Sequence, residues 1–313
     1  MQSTKSDNHS LPRLLVVTGP TASGKTRRAV SLARLTGGEI ISADSRQVYR
    51  GMDIGTGKDL DEYGEIPYHL IDIAEPGEVY NLYRFLSDAR TAIADIRSRG
   101  RLPILCGGTG LYVESLVKGI FLPDVPENPA LRESLRGKSL EELTGILSGM
   151  KQMHNTTDVD TCARAIRAIE IQTYYNLHPD EADAALNPKP EADTVIIGVD
   201  IPRDERRRRI SLRLHDRLAV GMVDEVRGLI ERGTDPQKLI NYGLEYKFLT
   251  LHILGELSYD EMVSQLETAI HQFAKRQMTW FRGMETRGQH IEWLPYNLPD
   301  EEFNSRVLEI CRN

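Results

Sequence analysis

The sequence predicts an α/β protein, a parallel sheet with helices on both faces that carries an α-helical insertion. Three observations predict it. Gly19-Pro20-Thr21-Ala22-Ser23-Gly24-Lys25-Thr26 fits the phosphate-cradling pattern G-x-x-x-x-G-K-[ST], between an apolar run and a helical pattern. Short apolar runs then alternate with helical periods as far as residue 122. From about residue 130 to 185 the spacing is helical with no strong strand, and strand character returns at Thr194. The loop makes this a P-loop NTPase-like sheet. The expected divisions are 12–123 for the first part of the core, 124–190 for the helical insertion and 191–295 for the rest of the core, with tails at 1–11 and 296–313.

Leu14 to Thr18 is the first strand, and Arg27 to Thr36 the helix that leaves the loop. The glycines let backbone N–H groups turn inward on an anion. The helix start adds partial positive charge, and Lys25 adds a full one. Thr26 is placed to reach a metal ion on the phosphates. The motif announces a phosphate ester and does not by itself say ATP. Glu39 to Ser42 reads as a second strand, so Asp44 falls just past its carboxyl end, where ligands bind in such sheets. Gly51 to Pro67 is long enough to be a functional loop. His69 to Ile73 is expected as a third strand, Leu82 to Arg99 as a helix closed by Gly100, and Leu102 to Cys106 as a fourth strand. The turn Gly107-Gly108-Thr109-Gly110 has two open readings: a ligand contact through its backbone and the Thr109 hydroxyl, or a tight turn needing positive φ. A helix follows from Leu111 to Lys118.

The proline-rich stretch from Leu122 to Pro129 marks a boundary. Asp158 to Tyr175 is the clearest helix of the insertion, with Arg164 and Arg167 on one face. After Thr194 to Val199, one long charged helix is expected from Arg203 to Arg232. Its run Arg206 to Arg209 suits a solvated face, whereas Arg213 and Arg217 lie among leucines and can point into the crevice. The last long helix, Ser258 to Arg282, opens with a capping-box spacing, Ser258 and Glu261. At 100° per residue His271, Lys275 and Arg282 share a face, and Phe273 and Trp280 fall opposite. A cationic face held by aromatics suits a phosphate backbone, and an ordinary amphipathic surface helix has the same spacing. Gln289 to Leu294 reads as a final short strand.

Composition bounds the rest. The 313 residues carry a net charge of −7, which excludes a uniformly basic coat but not a local basic groove. No apolar run approaches the roughly 20 residues of a membrane span. Met1 to Leu11 is polar and lacks the apolar core of a signal peptide, so a frayed tail is expected. Cys106, Cys162 and Cys311 show neither C-x-x-C nor metal spacing, and reduced thiols in the cytoplasm are expected.

Four stretches, Gly19 to Thr26, Ile41 to Thr56, Gly107 to Tyr112 (GGTGLY) and Lys275 to Arg282 (KRQMTWFR), together resemble the bacterial tRNA dimethylallyltransferases, the tRNA isopentenyltransferase family. The resemblance runs from about Leu14 to Leu294. It implies transfer of a dimethylallyl group from dimethylallyl diphosphate to N6 of adenosine 37, beside the anticodon of tRNAs reading codons that begin with U. It implies that the loop Gly19, Pro20, Thr21, Ala22, Ser23, Gly24, Lys25 and Thr26 holds a diphosphate leaving group, with Mg²⁺ on Thr26. Lys25 and Arg217 would stabilise the departing charge, Asp44 would take the proton from adenine N6, and Thr109 would sit near both substrates. It implies tRNA contacts at Asp44, Ser45, Arg46 and Gln47, at Ala163, Arg164 and Arg167, and at Lys275, Arg276, Gln277, Met278, Thr279, Trp280, Phe281 and Arg282. The helical insertion would grip the anticodon stem. A cytoplasmic monomer with no membrane and no obligate protein partner follows from the same resemblance.

The chain departs from the family at one place. Where the family carries Gly-Tyr-Arg or Gly-Tyr-Lys near the tRNA, this sequence reads Asn241-Tyr242-Gly243-Leu244-Glu245-Tyr246-Lys247, and Glu245 would weaken phosphate attraction there. No zinc-finger spacing follows the core. Three other readings share the phosphate loop: a small-molecule kinase, an adenylate isopentenyltransferase with a free nucleotide as acceptor, and a non-catalytic RNA-binding protein. The last has no use for Asp44, Lys25, Thr26 and Thr109 together.

Overall fold

The computed structural model describes residues 11–152, 157–191 and 193–312. They fall into two compact units, one of Met1–Lys118 with Pro190–Asn313 and one of Gly119–Lys189. The expected frayed tail lies outside the described residues except for Leu11.

The first unit is built on β1 (Leu14–Thr18), β2 (Glu39–Ser42), β3 (Tyr68–His69), β4 (Pro103–Gly107), β5 (Thr194–Asp200) and β6 (Glu292–Pro295). Among the described residues they form one sheet in the order β3-β2-β4-β1-β5-β6, every neighbouring pair parallel. Its helices are α1 (Lys25–Thr36), α2 (Leu82–Ser98) and α3 (Gly110–Val117) before the second unit. The second unit holds α4 (Pro129–Leu135), α5 (Leu140–Met150), α6 (Cys162–Leu177) and α7 (Pro179–Leu186). The first unit resumes with α8 (Arg203–Ala219), α9 (Met222–Glu231), α10 (Pro236–Asn241), α11 (Leu244–Ile253), α12 (Tyr259–Thr286) and α13 (Asp300–Ile310). This is a P-loop NTPase-like fold.

The central strands are buried on both faces, which is why they read as apolar runs rather than alternations. Leu15, Val17, Ile104 and Cys106 pack with Ala29, Val30 and Ala33 of α1. Val16, Ile41 and Leu105 point the other way, where α2 packs against β2 and β4 and α3 against β4. The strand order decides where the chemistry goes. Strands β2, β4 and β1 are adjacent and parallel, so the loops that leave their carboxyl ends are neighbours. These three loops carry Asp44, Thr109 and Lys25.

The second unit has its own core of Leu135, Leu143, Leu147, Ala165, Ala168 and Ile169. Beside it Glu170 is buried. It accepts hydrogen bonds from Arg132 (2.7 and 2.9 Å), Arg167 (3.0 Å) and the Asn128 N–H (2.9 Å). Burial raises the Glu170 carboxyl, but these donors outweigh it and hold it at about 2.

Five expectations are corrected. The third strand stops at His69, because Leu70 (φ 64°) and Asp72 (φ 56°) turn into the left-handed region; Asp72 is held there by the Lys58 ammonium. The helix expected from Arg203 to Arg232 is two helices, broken at Gly221 with φ 102°. The helix expected from Asp158 starts at Cys162, capped by the Thr161 side chain. The insertion begins at Gly119, not 124. The described part of the expected tail, 296–312, is folded onto the core. Phe303 and Val307, four apart on α13, enter the core, and the buried Arg28 guanidinium donates to the carbonyls of Tyr296 and Leu298 and to Asp300.

Candidate active site

At the carboxyl ends of β1, β2 and β4 a cavity of about 550 Å³ opens in the first unit. The phosphate loop forms one wall. Gly24 caps α1 with φ 86°, and no side chain among the described residues caps the helix, so its first-turn N–H groups face an incoming anion. Lys25 lines the cavity, its Nζ 3.5 Å from the Pro20 carbonyl. Burial pulls the Lys25 ammonium below its ordinary value, and the Asp44 carboxylate pulls it partly back. Beneath it, burial pushes the Cys106 thiol up to about 12. That thiol stays protonated and unreactive.

Asp44 is oriented by its own turn, its Oδ1 accepting the Arg46 N–H at 2.9 Å. The Thr109 hydroxyl accepts the Ser45 N–H (3.2 Å), and the Thr109 N–H donates to the Ala43 carbonyl (3.2 Å). The turns after β2 and β4 are thereby laced together with both side chains at the cavity. The glycines beside Thr109 are not there for positive φ; Gly107, Gly108 and Gly110 all lie outside that region. They allow close approach. A Cβ at Gly107 would meet the Ala43 carbonyl oxygen at 2.2 Å, one at Gly108 the Gln277 amide at 2.5 Å, and one at Gly110 the Trp280 indole at 2.3 Å.

Several expected contacts take other roles. Gln277 faces inward: its Oε1 accepts the Thr21 N–H (2.8 Å) and its Nε2 donates to the Gly108 carbonyl (2.9 Å), pinning both glycine-rich loops. Phe281 is fully buried. Helix α12 is held by Leu266, Ile270, Ala274, Gln277, Phe281 and Met284, a stripe at spacings of three and four, rather than by Phe273 and Trp280. Those two aromatics are part-exposed and line the cavity. Lys275, Arg276, Thr279 and Arg282 are exposed, and Met278 is half-buried. Ser45, Arg46 and Gln47 all line the cavity, and Gln47 is buried and bonds Ser42 Oγ (2.8 Å) and the Gly57 carbonyl (3.1 Å). In the second unit Ala163 and Arg164 are exposed, Arg164 pairing with Asp160 (2.9 Å). Arg167 is committed to Glu170 and to the Val125 carbonyl (2.7 Å).

Arg217 is placed differently from Arg213. It is paired with Asp59 at 2.9 Å and lines a recess of about 20 Å³ behind Arg213 instead of the cavity itself. Arg213 lines the cavity and donates to Thr21 Oγ1 at 3.1 Å. Burial brings its guanidinium down to about 10. The two arginines sit four apart on one face of α8, so spacing alone could not choose between them.

Residues 47–284 match the family model described as IPP transferase, and residues 12–65 match one described as Isopentenyl transferase. The chain is 58% identical, over 96% of its length and 98% of the relative's, to tRNA dimethylallyltransferase 1 of Parabacteroides distasonis. It is 55% identical to tRNA dimethylallyltransferase 1 of Porphyromonas gingivalis, over 95% and 98% of the two chains. The chain belongs to the tRNA dimethylallyltransferase (IPP transferase) family. Among solved structures, the tRNA isopentenylpyrophosphate transferase of Bacillus halodurans superposes with a TM-score of 0.69 at 31% identity, covering 95% of this chain and 96% of that one. A eukaryotic dimethylallyltransferase acting on tRNA shares the fold, with a TM-score of 0.80 at 22% identity over 95% and 77% of the chains.

As a tRNA dimethylallyltransferase-family enzyme, the chain catalyses prenyl transfer, and its one departure can be located. Tyr242 packs its ring on Tyr49 (4.5 Å between centroids) and its hydroxyl accepts the Gly77 N–H. Gly243, at φ 147°, then brings Leu244 and Glu245 onto the cavity wall, and Tyr246 is buried beyond them. Burial raises the Glu245 carboxyl. This stretch therefore places a carboxyl group, Glu245, on the cavity wall.

Proposed function

We propose that the enzyme transfers a dimethylallyl group from dimethylallyl diphosphate to N6 of adenosine 37 in tRNAs reading codons that begin with U, forming N6-isopentenyladenosine and releasing diphosphate. The observation that carries this reading is the convergence of Lys25, Asp44 and Thr109 on one cavity from three adjacent strand ends. A volume near 550 Å³ suits a prenyl diphosphate and a single base.

In this reading the donor's C1–O bond breaks and a C1–N6 bond forms. The electron pair leaves on the diphosphate, where the loop N–H groups, Lys25 and Arg213 meet it. The amine of adenine is a weak nucleophile because its lone pair is delocalised into the ring. Asp44, held by the Arg46 N–H, accepts the N6 proton as the new bond forms. Thr109 fixes the turn that carries Asp44. An allylic carbon ionises partly before attack, so positioning and charge stabilisation outweigh base strength.

Mg²⁺ fits the residues present. Among the described residues no group of three or more His, Cys, Asp or Glu side chains could hold a metal. An ion that takes most of its oxygens from diphosphate and water needs few protein ligands, and the Thr26 hydroxyl on the cavity wall would be one. Bound there, it would supply charge neutralisation for the leaving group.

The target base would leave the anticodon loop stack to enter the cavity. Ser45, Arg46, Lys275, Arg276, Met278, Thr279, Trp280 and Arg282 would contact the RNA from the first unit, and Ala163 and Arg164 from the second, which would grip the anticodon stem. We place the enzyme in the cytoplasm as a monomer with no obligate protein partner; among the described residues no helix is long and apolar enough to cross a membrane.

The test is a transfer assay with labelled dimethylallyl diphosphate and Mg²⁺. The acceptors are an anticodon stem-loop with adenosine at 37, the same loop with guanosine at 37, and free AMP. Label in the first alone supports the proposal. Label in AMP alone moves the enzyme to free nucleotides, and ATP turnover with no label anywhere would make it a kinase.

A further inference from the structure

Glu225 does not line the cavity, yet its carboxylate accepts four hydrogen bonds, one of them from Gly55 on the cavity wall. Its Oε2 accepts the N–H groups of Asp53 (2.8 Å) and Ile54 (2.7 Å), and its Oε1 accepts the Gly55 N–H (3.1 Å) and the Tyr246 hydroxyl (2.6 Å). Three successive backbone donors converging on one anion form a nest, a geometry that a neutral group satisfies poorly. The buried Tyr246 ring closes the arrangement from below: a Cβ at Gly55 would lie 2.8 Å from it.

The loop held this way leads to both ends of the reaction. Gly55, Thr56 and Gly57 line the cavity. The Gly57 carbonyl accepts from Gln47 at 3.1 Å, on the turn that carries Asp44. The Arg217 guanidinium crosses Gly57 so closely that a Cβ there would lie 2.1 Å from it, and Arg217 pairs with Asp59 two residues on. Lys58, fully buried, ties the loop to the Tyr49 carbonyl (2.7 Å) and to Asp53 (2.6 Å).

We infer that Glu225 is a positioning residue for the transfer reaction, and that the divergent stretch Asn241–Lys247 serves that role by supplying Tyr246 as its fourth donor. This rests on the reaction proposed above. The carboxylate sets the register of residues 53–57, and through Gln47 and Arg217 it sets the placement of the proton acceptor and the cation cluster.

Two measurements on Glu225→Gln test it. In the transfer assay with the stem-loop, kcat should fall about 10–100-fold, since a shift near 1 Å at the reacting groups costs about 10²-fold. The tRNA KM should stay within about threefold. In hydrogen exchange, the amides of Asp53, Ile54 and Gly55 should exchange more than about tenfold faster while those of β1 and β4 keep their protection. Tyr246→Phe, which keeps the ring, should give a smaller fall in kcat, and the two changes together should be less than additive. Should Glu225→Gln fail to fold, Tyr246→Phe carries the same test. A kcat within twofold of the parent, or one restored in full on correction for the folded fraction, would overturn the inference. Unchanged exchange at residues 53–55 would overturn it even if the parent enzyme transferred nothing to the stem-loop, an outcome that would instead sink the proposed reaction.

Discussion

Gln277→Leu separates two accounts of one residue. The family resemblance places Gln277 among RNA contacts, whereas the structure makes it a clamp between the phosphate loop and the Gly107–Gly110 turn. Leucine keeps the volume and removes both hydrogen bonds. Each net bond contributes about 1 kcal/mol, and a buried group left unsatisfied costs about 1–3 kcal/mol. The Gly108 carbonyl is buried, while Thr21 lies on the cavity, where water can replace the missing acceptor. The sum is about 2–4 kcal/mol, or roughly 5–10 °C in the melting of a unit of this size. The phosphate loop loosens with it, so kcat/KM for dimethylallyl diphosphate should fall at least about tenfold. Differential scanning calorimetry and donor-dependence kinetics read the two effects. An unchanged melting temperature together with a raised tRNA KM would refute the clamp and return Gln277 to the RNA.

Asp44→Asn keeps the turn and removes the proton acceptor. Turnover should drop about 10²–10⁴-fold while filter-binding affinity for tRNA stays within about twofold, and near-normal turnover would remove Asp44 from that role. Reversing the charges of Lys275 and Arg282 should raise the tRNA KM and flatten the plot of log affinity against log salt by about one unit for each phosphate no longer neutralised; equal slopes would mean a merely solvated face. Glu170 predicts acid sensitivity in the helical unit. Its folded carboxyl sits at about 2, below an unfolded value of about 4.3. The stability it contributes is full above the unfolded value and is lost as pH falls toward 2. Helical circular dichroism between pH 6 and 2 should show this loss in the parent and a smaller one in Glu170→Gln.

The sheet was legible because its strands are buried on both faces and its phosphate loop has a fixed spacing. Lys25, Asp44 and Thr109 follow from that: each lies just past an apolar run, and adjacency of β2, β4 and β1 does the rest. What stayed hidden depended on direction rather than position. Gln277 falls on the buried stripe of α12, three after Ala274 and four before Phe281, but nothing in that spacing says that its amide joins Thr21 and Gly108, which lie far away in sequence. Arg213 and Arg217 share a helix face, and only Asp59 separates their roles. Glu225 gave no signal, since its partners are backbone N–H groups some 170 residues earlier. The segment after residue 295 lacked a strand or motif, but Phe303 and Val307 at helical spacing were signal enough to place it in the core.

Glu245 bears on how the site stands before any anion arrives. Lys25, Arg213 and Arg217 come close together from two elements, and Arg213 feels both burial and the repulsion of Arg217. Three cations in a desolvated wall destabilise a fold unless carboxylates answer them. Asp59 answers Arg217 directly, at 2.9 Å. Arg213 has only the Thr21 hydroxyl as its hydrogen-bond partner among the described residues, and the field of Asp59 and Glu245 offsets part of its burial. Burial is also the largest influence on Glu245, with Arg213 and Arg217 working against it. The carboxylate and the guanidinium thus stabilise one another across the cavity wall. Within the Asn241–Lys247 stretch it is Glu245 that lines the cavity, while Lys247 is exposed. Glu245 thus alters the balance of charge on the wall that Lys25 and Arg213 line, while the phosphate-loop N–H groups are left as they are.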